Sequence, residues 1–244
     1  MNNFRPNLPN EDVKTVVITN YNKQLIHALN EYGINIITSE ILSCLLPFEQ
    51  YHTDLQFLHY NKDTIFVLKE CTSLKENLKK YFPNAIEISK NIDKDYPNNV
   101  MLNCVVLSDK LICNTKTIAD EVLQMATNDN LKIINVNQGY TKCSTCIVNE
   151  NAIITSDKSI YKSCRNEMDV LLIRQGYIEL SGTDYGFIGG SSFKYNRNTL
   201  IFTGNIKLHP DYESIKSFAQ NHNTKLLNLT ENKIIDIGGI IPIA

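Results

Sequence analysis

The chain has 244 residues, a hydrophobic fraction of 43% and a formal net charge of −2. This length and apolar content allow a substantial core in one large or two small domains. The balanced charge provides no basic face for nucleic acid, and no run approaches the roughly 18 apolar residues of a membrane span. The polar N-terminus lacks the apolar core of a signal peptide, and the seven cysteines are scattered. We therefore expect a cytoplasmic protein with reduced thiols.

Five segments carry apolar residues at helical spacing and predict amphipathic helices. Asn20, Thr115 and Asp157 can accept amide hydrogen bonds at three of the helix starts, and Pro210 suits a first helical position. The predicted helices are 21–32, 72–82, 115–128, 157–168 and 210–222.

A β-prone run follows each predicted helix, and in four of the five cases a β-hairpin with a polar turn comes next. The runs are 34–38, 85–89, 131–136, 170–174 and 225–229, and the hairpins are 55–68, 104–114, 146–155 and 192–203. The fifth unit has a single further run, 234–243, while the run 14–19 has no helix before it. These two runs predict a strand pair that closes the units into a ring.

The units predict one domain, 14–244, preceded by a tail, 1–13. Its five units are roughly 20–70, 71–114, 115–156, 157–205 and 206–244. A repeated tripeptide, Gln138-Gly139-Tyr140 and Gln175-Gly176-Tyr177, supports the repeat. The alternative is a non-repeated α/β domain whose spacing is coincidental.

Two short motifs accompany this order: His52-Thr53-Asp54 before a predicted strand, and Asp236-Ile237-Gly238-Gly239 near the C-terminus. With the five units, they resemble the pentein family, an α/β fold built as a five-bladed β/α propeller. That family includes arginine and agmatine deiminases, dimethylarginine dimethylaminohydrolase and amidinotransferases, and also a ribosome anti-association factor that is not an enzyme. The resemblance implies a central pocket for a guanidino compound.

The C-terminus departs from the family pattern. The family's nucleophilic cysteine follows the glycine-rich turn, but here the chain continues from Gly239 as Ile240-Ile241-Pro242-Ile243-Ala244. The His-x-Asp element also lies in the first unit, whereas the guanidine-modifying enzymes carry theirs late in the chain. The resemblance therefore implies the fold more strongly than the activity.

Alignment of the units on their hairpin turns predicts equivalent positions facing the centre of the ring. These are Asp54, Leu102, Cys143 and Gly189, and a register error of one residue adds Asn103, Cys104, Ser191 and Ser192.

Cys143 is the candidate nucleophile, because Lys142 beside it can lower the pKa of its thiol. His52 is the candidate acid–base, and Asp54 can orient it or bind a cation. The alternative is that Cys143 is a small packed residue in a pocket without chemistry.

The most glycine-rich segment, 186–192, predicts a loop that approaches a ligand or a neighbouring unit closely. Free amides at Gly189 and Gly190, with the Ser191 hydroxyl, can bind a substrate carboxylate. A tight loop needed only for closure is the equal alternative. Asn103, Asp184 and Asp236 complete the candidate substrate-binding set.

Two other patterns are assigned structural roles. Cys143-Ser144-Thr145-Cys146 lacks a second ligand pair at zinc spacing, and its thiols should lie on opposite faces of a strand. His209-Pro210-Asp211 stands at a helix start, which favours capping. We expect no metal and no cofactor.

Two functions remain open. One is an enzyme-like protein that hydrolyses or transfers the amidino group of a small guanidino or amino compound. The other is a non-enzymatic pentein that binds a macromolecule. We expect no nucleic-acid or membrane partner, and the oligomeric state is open.

Overall fold

A computed structural model describes residues 5–244, which form five three-stranded sheets of one construction. Two antiparallel strands are followed by a helix and then by a third strand, which pairs parallel to the second. Three of these units are β3 (Phe57–Asn61), β4 (Thr64–Val67), α2 (Thr72–Leu78) and β5 (Asn84–Glu87); β6 (Val105–Val106), β7 (Lys110–Cys113), α3 (Asp120–Asn128) and β8 (Lys132–Asn135); and β9 (Cys146–Asn149), β10 (Ala152–Thr155), α4 (Lys158–Cys164) and β11 (Asp169–Leu172).

The fourth such unit is β12 (Ser192–Asn196), β13 (Thr199–Phe202), α5 (Tyr212–Asn221) and β14 (Lys225–Asn228). The remaining sheet joins the two ends of the chain. It holds β1 (Thr15–Ile18), α1 (Lys23–Glu31) and β2 (Asn35–Thr38) with β15 (Ile241–Pro242). Strand β15 runs antiparallel to β1, with Val16 opposite Pro242 and Val17 opposite Ile241. The strands assigned to ring closure are therefore paired.

The fold is the five-bladed pentein propeller, and each blade is one three-stranded sheet with its helix. A blade groups a hairpin with the helix that follows it, whereas the sequence-based units begin at the helix. The second strand of each blade is its buried centre, and β1, β4, β7 and β10 are buried along their whole length. Parallel strands covered on both faces are expected to be apolar throughout.

Asparagine side chains shape three of the four hairpin turns. The Oδ1 atoms of Asn61, Asn149 and Asn196 accept the backbone N–H two residues later, at 3.0, 2.8 and 3.0 Å. This local bond mimics a backbone turn and explains why polar triplets separate the strands.

The predicted helix starts are corrected at several places. Asp157 caps α4, as predicted, but α1 is capped by Asn22 instead of Asn20. Helix α3 begins at Asp120, and the Thr115 hydroxyl donates to Asn135.

The His-x-Asp triplet before α5 does not cap it. The Asp211 side chain makes no capping hydrogen bond and instead binds the Arg174 guanidinium, with Oδ1 2.8 Å from Nε.

The described part of the predicted tail packs on the ring. Leu8 and Val13 are buried, and the Val13 N–H donates to the Tyr195 carbonyl at 2.8 Å. Residues 1–4 of that tail lie outside the described part of the chain. All seven cysteines are unpaired, and Cys44 alone among them is exposed. Among residues 5–244, no helix has the length and apolar character to cross a bilayer.

Candidate functional site

The loops that lead into the first strand of each blade meet at the centre of the ring. Hydrogen bonds join them directly: the Asp54 N–H donates to the Gly238 carbonyl, and the Gly190 N–H donates to the Cys143 carbonyl, both at 2.9 Å. The Gly239 N–H donates to the Gly190 carbonyl at 3.0 Å. Because β3, β9, β12 and β15 follow these loops, four blades contribute backbone to one buried point.

Three chemically matched side chains converge at this point. The Cys143 thiol donates to Asp54 Oδ2 at 2.8 Å, and its Sγ lies 3.9 Å from Nδ1 of His52. His52 Nδ1 is 4.0 Å from Asp54 Oδ1. All three residues are buried, with relative exposures of 4% or less. The sequence thus identified three residues, 91 positions apart at most, that the fold brings into contact.

Asn103 supplies the second blade's contribution. Its Oδ1 accepts the Lys142 and Cys143 N–H groups at 2.7 and 3.2 Å, and its Nδ2 lies 3.4 Å from Cys143 Sγ. The alignment of the units predicted Leu102 at this position, with Asn103 as the alternative for a register error of one residue. Asn103 is the residue that reaches the site. Asn103 holds the backbone and the thiol of Cys143 in place.

Burial and carboxylates govern the electrostatics. Burial raises the pKa of Asp54 from 3.8 to about 6, although His52 and Lys142 oppose the shift. Burial, with Asp54 and Asp236, raises the pKa of the Cys143 thiol well above its usual range. The expectation that Lys142 lowers the pKa of this thiol is therefore wrong, since desolvation and two carboxylates dominate.

Asp236 is the second carboxylate of the site. Its Oδ1 accepts the Gly238 N–H and its Oδ2 accepts the Phe187 N–H, both at 2.9 Å. A Cβ at Gly190 would overlap this carboxylate. Gly238 has φ +70°, and a Cβ there would overlap the His52 backbone, so glycine is required on both counts.

An open cleft of about 1050 Å³ borders the site, with His52 and Asp236 in its wall. The segments around Phe48 and Leu180 form its sides. Nε2 of His52 has no hydrogen-bond partner among residues 5–244, and neither has Oδ1 of Asp54. The cleft therefore reaches two residues of the site, His52 and Asp236, whereas the two unpartnered atoms themselves are buried.

Asp184 and the glycine-rich loop differ from the predicted substrate-binding set. Asp184 is exposed on the cleft wall and no contact aims it at the centre. The Gly190 amide is bonded to Cys143, and the Ser191 hydroxyl donates to the Ile188 carbonyl at 3.0 Å. A Cβ at Gly189 would overlap the Lys142 carbonyl. The geometry favours a packing role for this loop, because the Gly190 amide and the Ser191 hydroxyl are already used and Gly189 packs against the Lys142 carbonyl.

A family model for a family of unknown function (DUF6873) matches residues 16–241. The chain belongs to this family. No curated protein matches the sequence.

Solved structures with the same architecture include two amidinotransferases and an agmatine deiminase. Inosamine-phosphate amidinotransferase StrB1 from Streptomyces griseus superposes with a TM-score of 0.61 at 11% identity, over 100% of this chain and 96% of that one. The amidinotransferase SxtG of Microseira wollei, from the saxitoxin biosynthetic pathway, gives 0.56 at 11% over 96% of each chain. C. jejuni agmatine deiminase gives 0.53 at 9% over 92% and 90%. At these identities the likeness establishes the pentein fold alone.

A buried polar network beside Cys143 escaped the sequence-based prediction. The Glu49 carboxylate accepts hydrogen bonds from the Tyr140 hydroxyl and from Asn99 Nδ2, and it raises the pKa of Tyr140 in addition to the effect of burial. The Tyr140 carbonyl accepts the Ser144 N–H at 2.9 Å. The repeated Gln-Gly-Tyr tripeptide does not mark this network, since the Tyr177 of the second copy is 49% exposed.

The three central side chains are also a possible metal-ligand set for this DUF6873 member. One ligand atom from each of His52, Asp54 and Cys143 lies within 4.8 Å of the others. Two ligands of one tetrahedral zinc stand about 3.5 Å apart, given bond lengths near 2.0 to 2.3 Å. The 2.8 Å between Cys143 Sγ and Asp54 Oδ2 is shorter and is typical of a protonated thiol donating a hydrogen bond. The arrangement fits acid–base and thiol chemistry better than a metal.

Proposed function

We propose that this protein is a cysteine-dependent enzyme that hydrolyses or transfers the amidino group of a small guanidino compound. The convergence of Cys143, His52 and Asp54 beside the cleft is the observation that carries the proposal. Cys143 is assigned as the nucleophile, His52 as the acid–base, and Asp54 with Asp236 as the binding site for the cation. The unpaired cysteines support a cytoplasmic location.

The surroundings of Cys143 favour the unreactive form of its thiol. A buried thiol next to two carboxylates is protonated at neutral pH, because thiolate would be a third negative charge. A guanidinium bound beside those carboxylates and Cys143 reverses this balance, since a cation stabilises thiolate. The substrate's charge thus both directs its binding and activates the nucleophile.

The chemical steps follow from this arrangement. His52, whose Nδ1 lies 3.9 Å from Cys143 Sγ, takes the thiol proton, and Sγ forms a bond to the guanidinium carbon. The C–N bond then breaks, and the departing amine or ammonia leaves with the proton that His52 holds. His52, which lines the cleft, then takes a proton from the water or second amine that attacks the same carbon. The C–S bond breaks and Cys143 recovers its proton.

The other function open for this fold is a non-enzymatic module that binds a macromolecule. A docking surface gains nothing from a buried thiol, imidazole and carboxylate, and burial of such groups carries a cost. Their placement beside a cleft therefore favours a small ligand.

The test is a screen of arginine, agmatine and related guanidino compounds for amine or ammonia release. Cys143→Ala is expected to reduce turnover at least about a thousandfold. Cys146→Ala is the matched control, because Cys146 is equally buried and lies only three residues later, at the start of β9, and this variant should retain activity within a few-fold. Unchanged turnover in Cys143→Ala would exclude the nucleophile. Activity that depends on added zinc and is lost with a chelator would instead favour the metal reading.

A further inference from the structure

Two lysines are buried, one just before β9 and one within β12. Lys194 in β12 is 2% exposed and Lys142 is 8% exposed. Among residues 5–244, neither has a carboxylate partner within 4.0 Å. The Lys194 ammonium makes one long hydrogen bond, 3.4 Å to Thr224 Oγ1. Buried ammonium groups are normally paired, so two buried lysines without a carboxylate partner require an explanation.

Lys110 shows how the same fold treats a buried lysine elsewhere. It is 6% exposed, and its ammonium lies 2.6 Å from Asp109 Oδ1. Lys194 lacks such a partner, and burial lowers its pKa to about 8. The absence of a carboxylate partner at Lys194 is therefore not a general feature of buried lysines in this fold.

Space for a ligand lies directly against Lys194. Lys142 and Lys194 both line a cavity of about 10 Å³, which is too small for more than a water. Lys194 also lies in the wall of a cleft of about 510 Å³, together with Arg197 and the amide side chains of Asn149 and Asn198. Arg197 is exposed and makes no ion pair within residues 5–244.

The other charged groups of this cleft are already paired. Arg5 lies 3.4 Å from Glu150, and His222 lies 3.3 Å from Asp169. Lys194 and Arg197 thus provide two positive charges without counterions, flanked by neutral amide donors. Ammonium, guanidinium and amide N–H groups are the donors that bind oxyanions.

We propose that this cleft binds a small oxyanion of the phosphate class, with Lys194 as its buried ligand and Arg197 at its mouth. Lys142, behind the shared cavity, adds to the positive field. A small anion is favoured over a nucleic acid strand, because the rim also carries Glu150 and the whole chain has a net charge of −2. The site is separate from the cleft beside His52 and does not depend on the proposed reaction.

The test is thermal unfolding of the full chain in inorganic phosphate against chloride at equal ionic strength. At roughly 20 mM, phosphate should raise the Tm by about 2 °C or more above the chloride value. A phosphomonoester and a dicarboxylate, run in parallel, distinguish a phosphate group from a carboxylate as the natural ligand.

Variants then locate the effect. Lys194→Met should abolish the phosphate-specific shift, whereas Lys110→Met, which removes an equally buried but paired lysine, should retain it. Arg197→Gln changes an exposed side chain and should weaken phosphate binding about tenfold by calorimetry, which tests the site even if Lys194→Met does not fold. Equal shifts in phosphate and chloride, or a phosphate shift that survives in both Lys194→Met and Arg197→Gln, would overturn the proposal.

Discussion

Cys143 and Cys146 lie three residues apart and are both fully buried, yet their surroundings have opposite charge. Cys143 faces Asp54 and Asp236, which add to the effect of burial in raising its pKa. Burial raises the pKa of Cys146 only to about 11, because the Ser192 hydrogen bond and the charges of Lys142 and Lys194 oppose the shift. The two thiols mark an acidic end and a basic end of the buried region at the centre of the ring.

Equal burial therefore does not give equal chemistry. The acidic end favours the binding of a cation, and the basic end favours the binding of an anion. A ligand of the matching charge is expected to change the reactivity of one thiol and leave the other nearly unchanged. Each prediction below tests this division.

The largest expected effect is selective alkylation. A cationic reagent such as a haloacetamidine should modify Cys143 at least about a hundredfold faster than Cys146, since the carboxylates attract it and its charge stabilises the thiolate. Neutral iodoacetamide should lose this preference. Peptide mapping by mass spectrometry after timed quenching measures both rates, and equal labelling of the two cysteines by the cationic reagent would contradict the division.

Asp54→Asn should separate binding from stability. Loss of the carboxylate is expected to weaken guanidinium binding about 10- to 100-fold. Because the folded pKa of Asp54, about 6, lies above its unfolded value of 3.8, this group lowers stability as pH rises from about 4 to 6. The variant should therefore be more stable than the parent at pH 7, by as much as about 3 kcal/mol. Calorimetry and urea unfolding measure the two effects, and a less stable variant would show that the buried charge is compensated.

The pH dependence of cation binding should follow the same carboxylate. Binding needs ionised Asp54, so affinity should rise with pH through about 6 and level off above 7. At pH 5 it should be about tenfold weaker than at pH 7. The measurement is the dissociation constant of a guanidinium ligand across this range. A profile that is unaltered in Asp54→Asn would assign the titration to another group.

The smallest expected effect comes from the lysine between the two ends. Lys142 lowers the pKa of both Asp54 and Cys146. Lys142→Met should therefore move the midpoint of cation binding upward by roughly half a pH unit. Lys110→Met removes a buried lysine from another blade and should leave the midpoint in place. An unchanged midpoint in Lys142→Met would mean that the two ends are electrically independent.

Local patterns in the sequence were sufficient for the blades and the central residues. Helical spacing located all five helices, and polar triplets located the hairpins, because Asn61, Asn149 and Asn196 shape their turns through bonds only two residues long. Alignment on those turns then placed Asp54 and Cys143 at equivalent positions. Because the units repeat, residues at the same distance from each turn occupy equivalent places in the fold. Residues of different blades could therefore be assigned to one site.

Helix ends and individual side-chain partners were less predictable. Asp211 follows His209-Pro210 at a helix start, where capping is common. Its carboxylate instead accepts a charge-assisted hydrogen bond from Arg174, which is distant in the sequence. The Glu49, Asn99 and Tyr140 network joins three segments with no shared pattern, so no spacing in the sequence announced it.

The sequence by itself determined the five-bladed ring and the residues that point to its centre, since both follow from a repeat whose signals are local. Only the tertiary structure decided the charge around each thiol. The sequence places Lys142 next to Cys143, but the fold turns Cys143 towards carboxylates from two other blades and leaves Lys142 acting on Cys146. Burial and through-space charge set a pKa, and neither can be read from the neighbouring residue in the chain.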